Sequence, residues 1–188
     1  NFLSDSEIVN NLKLRASYGQ TGNNGIGNNQ YQSLFGYGAS YNDQGAVFPS
    51  TFGNLIISWE TANLLDIGVD FSLLDNRLSG SVTYYEKETD DLLQSVPLSR
   101  TTGHTSQTMN VGAIMNKGWE FELDGQVLKT DDFSFEIYGN FSENRDEVTR
   151  LAKTADGEDI NLDSFYYTTR VGSPKDQWYI RTWGGVDP

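Results

Sequence analysis

Cysteine is absent from the 188 residues, histidine occurs once, and 13 basic residues face 26 acidic ones. Without cysteine there is neither a disulfide scaffold nor a thiolate metal site, although no compartment follows from that. A single histidine, His104 in the Thr101–Thr108 stretch, has no second histidine beside it and argues against a metal centre. A formal net charge of −13 argues against nucleic acid as a partner. No apolar run approaches the ~18 residues of a membrane helix, and no signal-peptide pattern is visible. Asp156-Gly157-Glu158-Asp159 has the composition of a calcium loop but not its ligand spacing, and reads as a solvated turn. No Ser-His-Asp set, cysteine nucleophile or phosphate loop is present. Glu120 and Glu122 share a strand face at ~6.7 Å, but that spacing is automatic on any acidic strand. The chain is not expected to be an enzyme, and no cofactor is implied.

What the sequence does have is alternation. Trp119, Phe121, Leu123, Gly125 and Val127 fall on one parity, with Glu120, Glu122, Asp124 and Gln126 on the other. After Lys129-Thr130-Asp131-Asp132, the residues Phe133, Phe135, Ile137, Gly139 and Phe141 repeat the apolar row against Ser134, Glu136, Asn140 and Ser142. A turn centred on Thr130 sets Val127 opposite Phe133, Leu123 opposite Ile137 and Trp119 opposite Phe141, so apolar meets apolar. Leu65, Ile67, Val69, Phe71 and Leu73 form a second such row, continued by Leu78, Gly80, Val82 and Tyr84. Between them Asp75-Asn76 suits a primed hairpin turn, since both residues tolerate positive φ. Leu12, Leu14, Ala16 and Tyr18 alternate with Lys13, Arg15 and Ser17 as a fifth strand.

Connection lengths point the same way. Tight turns alternate with long links, from about Gln20 to Ser58, Glu86 to Gly118 and Glu143 to Phe165. All short turns then lie at one end of the sheet and all long loops at the other, as in outer-membrane barrels. The nine residues Trp119–Val127 span about 30 Å, or ~23 Å after a ~40° tilt, close to the ~25 Å apolar band of such barrels. Aromatic residues sit at strand ends (Trp119, Tyr84, Tyr85, Phe141). The competing reading is a soluble or surface-attached β-sandwich that binds glycans or acts as an adhesin. A mean hydropathy of −0.51 agrees with it, although barrels with polar interiors hide from hydropathy. The two readings differ in whether Phe121 and Phe135 face lipid or a second sheet.

Several segments resemble a known family. Residues 12–38, LKLRASYGQTGNNGIGNNQYQSLFGYG, are similar to a strand and loop of SusC/RagA-type TonB-dependent outer-membrane transporters. The block 57–93 resembles that family's W-E-x-T strand and N-x-G-hydrophobic-D hairpin, with Leu65-Asp66-Ile67-Gly68-Val69-Asp70 in the hairpin slot. Asn110-Val111-Gly112 and Asn116-Lys117-Gly118-Trp119-Glu120 resemble the N-x-G…N-x-G-x-E signature, and Trp183–Pro188 the G-x-D-P segment. The resemblance implies an all-β fold: an antiparallel transmembrane segment of a barrel of about 22 strands, with short periplasmic turns and long extracellular loops. Six or seven strands from the C-terminal half of the barrel are expected, with 1–188 a partial barrel domain lacking plug and remaining strands. It further implies import across a Gram-negative outer membrane of an oligosaccharide or peptide, energised through TonB, beneath a SusD-like lipoprotein lid.

Candidate sites follow from this. The apolar parity would face outer-membrane lipid. Asp66, Asp70, Glu120, Glu122, Asp124 and Glu136 would face the lumen and plug as an acidic wall, bonded there to plug residues or water, or touched by substrate in passage. Substrate contacts are expected in the Gly/Asn-rich segment Gly22–Gly53, from Tyr31, Phe35, Tyr37 and Tyr41, with Phe48 nearby. The alternative is that these aromatics pack the loop on itself or against the lid.

Overall fold

Alternation becomes strand almost everywhere in the computed structural model, which describes Ser6 and residues 8–185. The Val186-Asp187-Pro188 end of the G-x-D-P resemblance lies outside them. Five long strands, β1 (Val9–Asn23), β4 (Glu60–Leu73), β5 (Leu78–Pro97), β6 (Ser106–Lys129) and β7 (Ser134–Arg150), form one antiparallel sheet in the order β1-β4-β5-β6-β7. A hairpin of β2 (Phe35–Tyr41) and β3 (Gln44–Pro49) lies between β1 and β4 in the chain. After β7, three short strands pair as β10-β9-β8: β8 (Leu162–Asp163), β9 (Tyr167–Thr169) and β10 (Gln177–Trp178). A 3-10 turn at Arg100–Thr102 is the only helical element among the described residues.

Two compact units are built from stretches of these strands. The first comprises Asn1–Gln20, Asn63–Glu88 and Met115–Asp146, the second Thr21–Ala62, Thr89–Ile114 and Glu147–Pro188.

The first unit carries the apolar rows, and no strand among the described residues covers them. Phe121 is 40% exposed and Phe135 47%, which removes the β-sandwich reading. At one edge the rows end in aromatic rings. Tyr84 lies 5.1 Å from Trp119 and Phe121 lies 6.1 Å from Phe141, centroid to centroid. One step further on the same parity stand Gln20, Asn63, Glu86, Lys117 and Glu143. Tyr18 Oη and Gln20 Nε2 both donate to Asn63 Oδ1, at 3.4 and 2.9 Å, and Tyr84 Oη donates to Glu86 at 2.9 Å. The tyrosines thus keep their rings in the apolar band and their hydroxyls in the polar row. Interfacial tyrosines adopt this arrangement because only one end of the side chain is wettable.

Turn chemistry agrees at the first hairpin. Leu74, Asp75 and Asn76 all have positive φ (54°, 56° and 62°), and Arg77 N–H donates to Leu74 O at 3.1 Å. At the second, the pairing is two residues away from the expectation. Phe121 meets Phe141, and Gln126 Nε2 donates to Glu136 at 3.0 Å; both pairs are equidistant from Asp131, not from Thr130. The cause lies in the turn: Thr130 N–H and Oγ1 donate to Phe133 O, at 2.8 and 3.1 Å, which tightens the reversal onto Asp131-Asp132. A slip of two preserves parity, so the apolar face stays intact.

Strands are longer and links shorter than expected. β5 and β6 run to Pro97 and from Ser106, so the connection expected over Glu86–Gly118 is mostly strand, and β7 continues to Arg150. Five long strands stand in place of six or seven. Past the aromatic row both parities turn polar over Glu86–Asp91 of β5 and Ser142–Glu147 of β7, so alternation fades there although the strands continue, whereas β6 keeps Met115, Ala113, Val111 and Met109 on its apolar parity.

Candidate functional site

On the polar face of the first unit, Arg15 organises β4. Its Nε donates to Asp70 Oδ1 at 2.9 Å, its Nη2 to Thr83 Oγ1 at 3.0 Å, and its Nη1 lies 3.8 Å from Asp66. Lys13 Nζ is 3.8 Å from the other Asp70 oxygen. This close approach requires Gly68, where a Cβ would come within 2.8 Å of Arg15 Nη2. The expected acidic wall therefore has two parts. Asp66 and Asp70 are matched by Arg15 and Lys13, a locally neutral patch. On β6, Glu120, Glu122 and Asp124 are exposed and make no side-chain bond among the described residues. Glu136 on β7 accepts from Gln126 and, at 3.4 Å, from Ser134. Arg15 was the residue that sequence reasoning passed over, although its parity in β1 places it beside Asp66 and Asp70 once β1 pairs with β4.

In the second unit the candidate aromatics do not form one cluster. The register pairs Phe35 with Pro49, Tyr37 with Val47 and Tyr41 with Gln44. A bulge at Gly38 (φ 100°) interrupts it between Tyr37 and Ala39. One inserted residue flips parity, leaving Phe35 and Tyr37 on one face and Tyr41 on the other. Tyr37 and Tyr41 are more than four-fifths exposed. Phe48 lies on Gly36, where a Cβ would meet its ring at 2.7 Å. Tyr31 stands before the hairpin, its Oη accepting from Gln32 Nε2 at 2.8 Å. Its backbone carbonyl helps to form the seat of Gly53, where a Cβ would run into the Gln32 and Ser33 backbone.

The motif residues brace this unit. Asn110 Nδ2 donates to Ser58 O and Asp91 O, both at 2.8 Å, while its Oδ1 accepts from Ser58 N–H at 2.8 Å. Asn54 Nδ2 donates to Thr108 O at 3.0 Å and Gln107 Nε2 to Gly53 O at 2.6 Å. Trp59 packs over Gly22, and Glu60 accepts from Asn23 Nδ2 at 2.8 Å and Leu93 N–H at 3.0 Å. The long link before β4 is thereby fastened along β6 through side chains. The His104 ring packs against Phe52 at 5.2 Å, tilted by 47°, within the same unit.

Comparison with known proteins agrees with this geometry. The family described as TonB dependent receptor-like, beta-barrel matches residues 6–187. TonB-dependent receptor P3 of Formosa agariphila is 39% identical over 169 residues, covering 87% of this chain and 16% of that protein. TonB-dependent receptor SusC of Bacteroides thetaiotaomicron is 32% identical over 170 residues, covering 84% of this chain and 17% of its own length. Among solved structures, the RagAB peptide transporter superposes with a TM-score of 0.83 at 32% identity, over 99% of this chain and 20% of that one. The chain thus spans about a sixth of the length of these curated relatives. An open sheet with an exposed apolar face and an aromatic edge is what a piece of such a barrel wall looks like, and the chain belongs to the TonB-dependent receptor family as part of its β-barrel.

Proposed function

We propose that this chain forms part of the wall of an outer-membrane importer that takes up an oligosaccharide or a peptide. In this reading TonB supplies the energy and a SusD-like lipoprotein closes the extracellular mouth. The single observation carrying the reading is the uncovered apolar face of β4–β7, ended by Tyr84, Trp119 and Phe141 and followed at once by a polar row. A soluble domain would have to bury such a face, whereas lipid rewards it. Likeness to SusC, a TonB-dependent receptor, and to the RagAB peptide transporter supports the import role, and the latter supports peptide among the cargo classes. The polar face becomes the lumen wall, with Arg15–Asp70 fixing β1 to β4 and the Glu120–Asp124 carboxylates turned to the water or plug inside. The Phe35–Tyr37 face offers aromatic contact to cargo or lid.

The test is uptake. The full-length gene is deleted from its host, and entry of a labelled peptide mixture and a labelled oligosaccharide mixture is followed with and without a protonophore. Loss of energy-dependent entry of one class on deletion, restored by the intact gene, is expected. Unchanged entry of both, or a full-length protein that leaves the membrane without detergent, would overturn the reading.

A further inference from the structure

On the apolar parity of the first unit, one step past the aromatic row, two cations stand opposite each other. The register that joins Gln126 N–H to Arg77 O and sets Tyr84 beside Trp119 places Glu86 opposite Lys117. On the other side of β6, the register that joins Gln126 to Glu136 and Phe121 to Phe141 places Arg145 opposite Lys117. A reversal centred on Thr130 would have brought Glu143 there instead. The slip of two thus exchanges a carboxylate for a guanidinium, and like charges directly opposite in an antiparallel pair destabilise it.

The neighbouring carboxylates do not resolve this. Arg145 Nε and Nη2 both donate to one oxygen of Glu143, at 2.8 and 2.7 Å. Glu86 accepts from Tyr84 Oη at 2.9 Å. Lys117 is exposed and makes no ion pair among the described residues. Arg145, three-quarters exposed, keeps its remaining donors. A groove of about 340 Å³ opens between them, lined by Tyr84, Lys117, Trp119, Glu143 and Arg145. Its aromatic floor continues along the apolar face, for Trp119 stacks at 6.2 Å on Phe121, and Phe121 and Phe141 are both exposed.

We propose that this groove binds a phosphorylated glycolipid of the outer leaflet, with a phosphate between Lys117 and Arg145 and acyl chains along Phe121 and Phe141. An anion between the two cations removes their conflict, and charge-assisted bonds to phosphate are among the strong ones. Trp119, at the edge of the apolar band, offers a face to the sugar of the headgroup. A free phosphate would use the cations and leave the aromatic floor bare. The groove lies at the end of the sheet away from the tight turns at Asp75-Asn76 and Asp131-Asp132, which is the extracellular end in the import reading. The inference rests on the outer-membrane placement in that reading and is independent of the cargo.

The test uses the full-length protein purified in detergent. The probes are lipid A carrying its phosphates, dephosphorylated lipid A and inorganic phosphate, and native mass spectrometry counts the lipid retained. The parent should retain phosphorylated lipid A about tenfold or more over the dephosphorylated form, and Lys117→Gln should hold it about tenfold more weakly. Lys117→Glu sets opposite charges across from each other at Arg145, so it should fold with normal heat-modifiable gel mobility and lose the lipid. Phosphorylated lipid A should raise the heat-modification temperature of the parent and leave that of Lys117→Glu unmoved. Equal retention of the two lipids by the parent, equal retention by parent and both variants, or displacement of the lipid by millimolar inorganic phosphate would overturn the site. The comparison of lipids on the parent decides even where a variant misfolds. If uptake is intact and the protein stays in the membrane without detergent, that failure leaves the import reading standing. A full-length protein that leaves the membrane without detergent would overturn both.

Discussion

The Arg15 guanidinium lies across Gly68, so close that a Cβ there would sit 2.8 Å from Nη2. The absent side chain is what lets Arg15 reach Asp70, Asp66 and Thr83 together. Gly68→Val should therefore displace the arginine and leave two carboxylates half-buried beside each other, lowering barrel stability by about 1–3 kcal/mol. Arg15→Met should remove most of the clash, so the double variant should fall short of the summed single effects. Urea unfolding of the full-length protein in lipid, followed by tryptophan fluorescence, checks this; strict additivity would show that the two residues do not act on each other.

Gly118 poses a sharper steric problem on the same polar face, between β5 and β7. A Cβ there would run into Glu143 O and come within 2.7 Å of Tyr85 Oη, which donates to Asn144 at 2.9 Å. Gly118→Ala should cost about 1–3 kcal/mol and slow assembly. Gly139→Ala, with nothing within 4 Å of the added methyl, should be neutral or slightly stabilising. The fraction of heat-modifiable protein at increasing temperature separates the two, and equal behaviour would count against the packing argument.

Phe121 and Phe135 test which face meets lipid. Phe121→Lys or Phe135→Lys, one step inside the ends of the apolar band, should destabilise the barrel by about 1–2 kcal/mol, and Leu123→Lys or Ile137→Lys at its middle by about 2–4 kcal/mol. Glu122→Gln and Glu136→Gln, on the other face, should leave folding normal. With their carboxylates meeting water or plug, they should also leave uptake unchanged. Reduced uptake with normal folding would assign these carboxylates to cargo passage instead. Membrane fractionation with transport assays reads both arms.

Parity was the legible part, because a strand with one face in oil and one in water writes its geometry into every second residue. Trp119 to Val127 and Leu65 to Leu73 show it without ambiguity. The Asp75-Asn76 reversal was legible too, since few residues accept positive φ. Strand length was not: beyond Tyr84 the run Glu86, Glu88, Asp90 is polar where an apolar parity would continue, and Asp91 takes a positive φ of 56° inside β5. Nor could the sequence show a cavity in the second unit, whose walls come from Glu60, Gln94, Val148 and Leu162, far apart in the chain. The β2–β3 hairpin was hidden by glycine and asparagine, and its faces could not be assigned without the bulge at Gly38.

That bulge yields a prediction about the loop aromatics. Phe35 and Tyr37 share a face, whereas Tyr41 points from the other. If cargo or lid rests on the Phe35–Tyr37 face, Phe35→Ala and Tyr37→Ala should each weaken binding several-fold. Their combination should depart from additivity, as expected of residues touching one partner. Tyr41→Ala should combine additively with either. Deleting Gly38 removes the extra residue and carries Tyr41 onto the face of Tyr37, so in that background Tyr41→Ala should become coupled to Tyr37→Ala. Titration of the full-length protein with cargo, and separately with the lid lipoprotein, measures all of these. Coupling between Tyr37 and Tyr41 in the unmodified hairpin would mean that the loop closes around its partner instead of presenting one face to it.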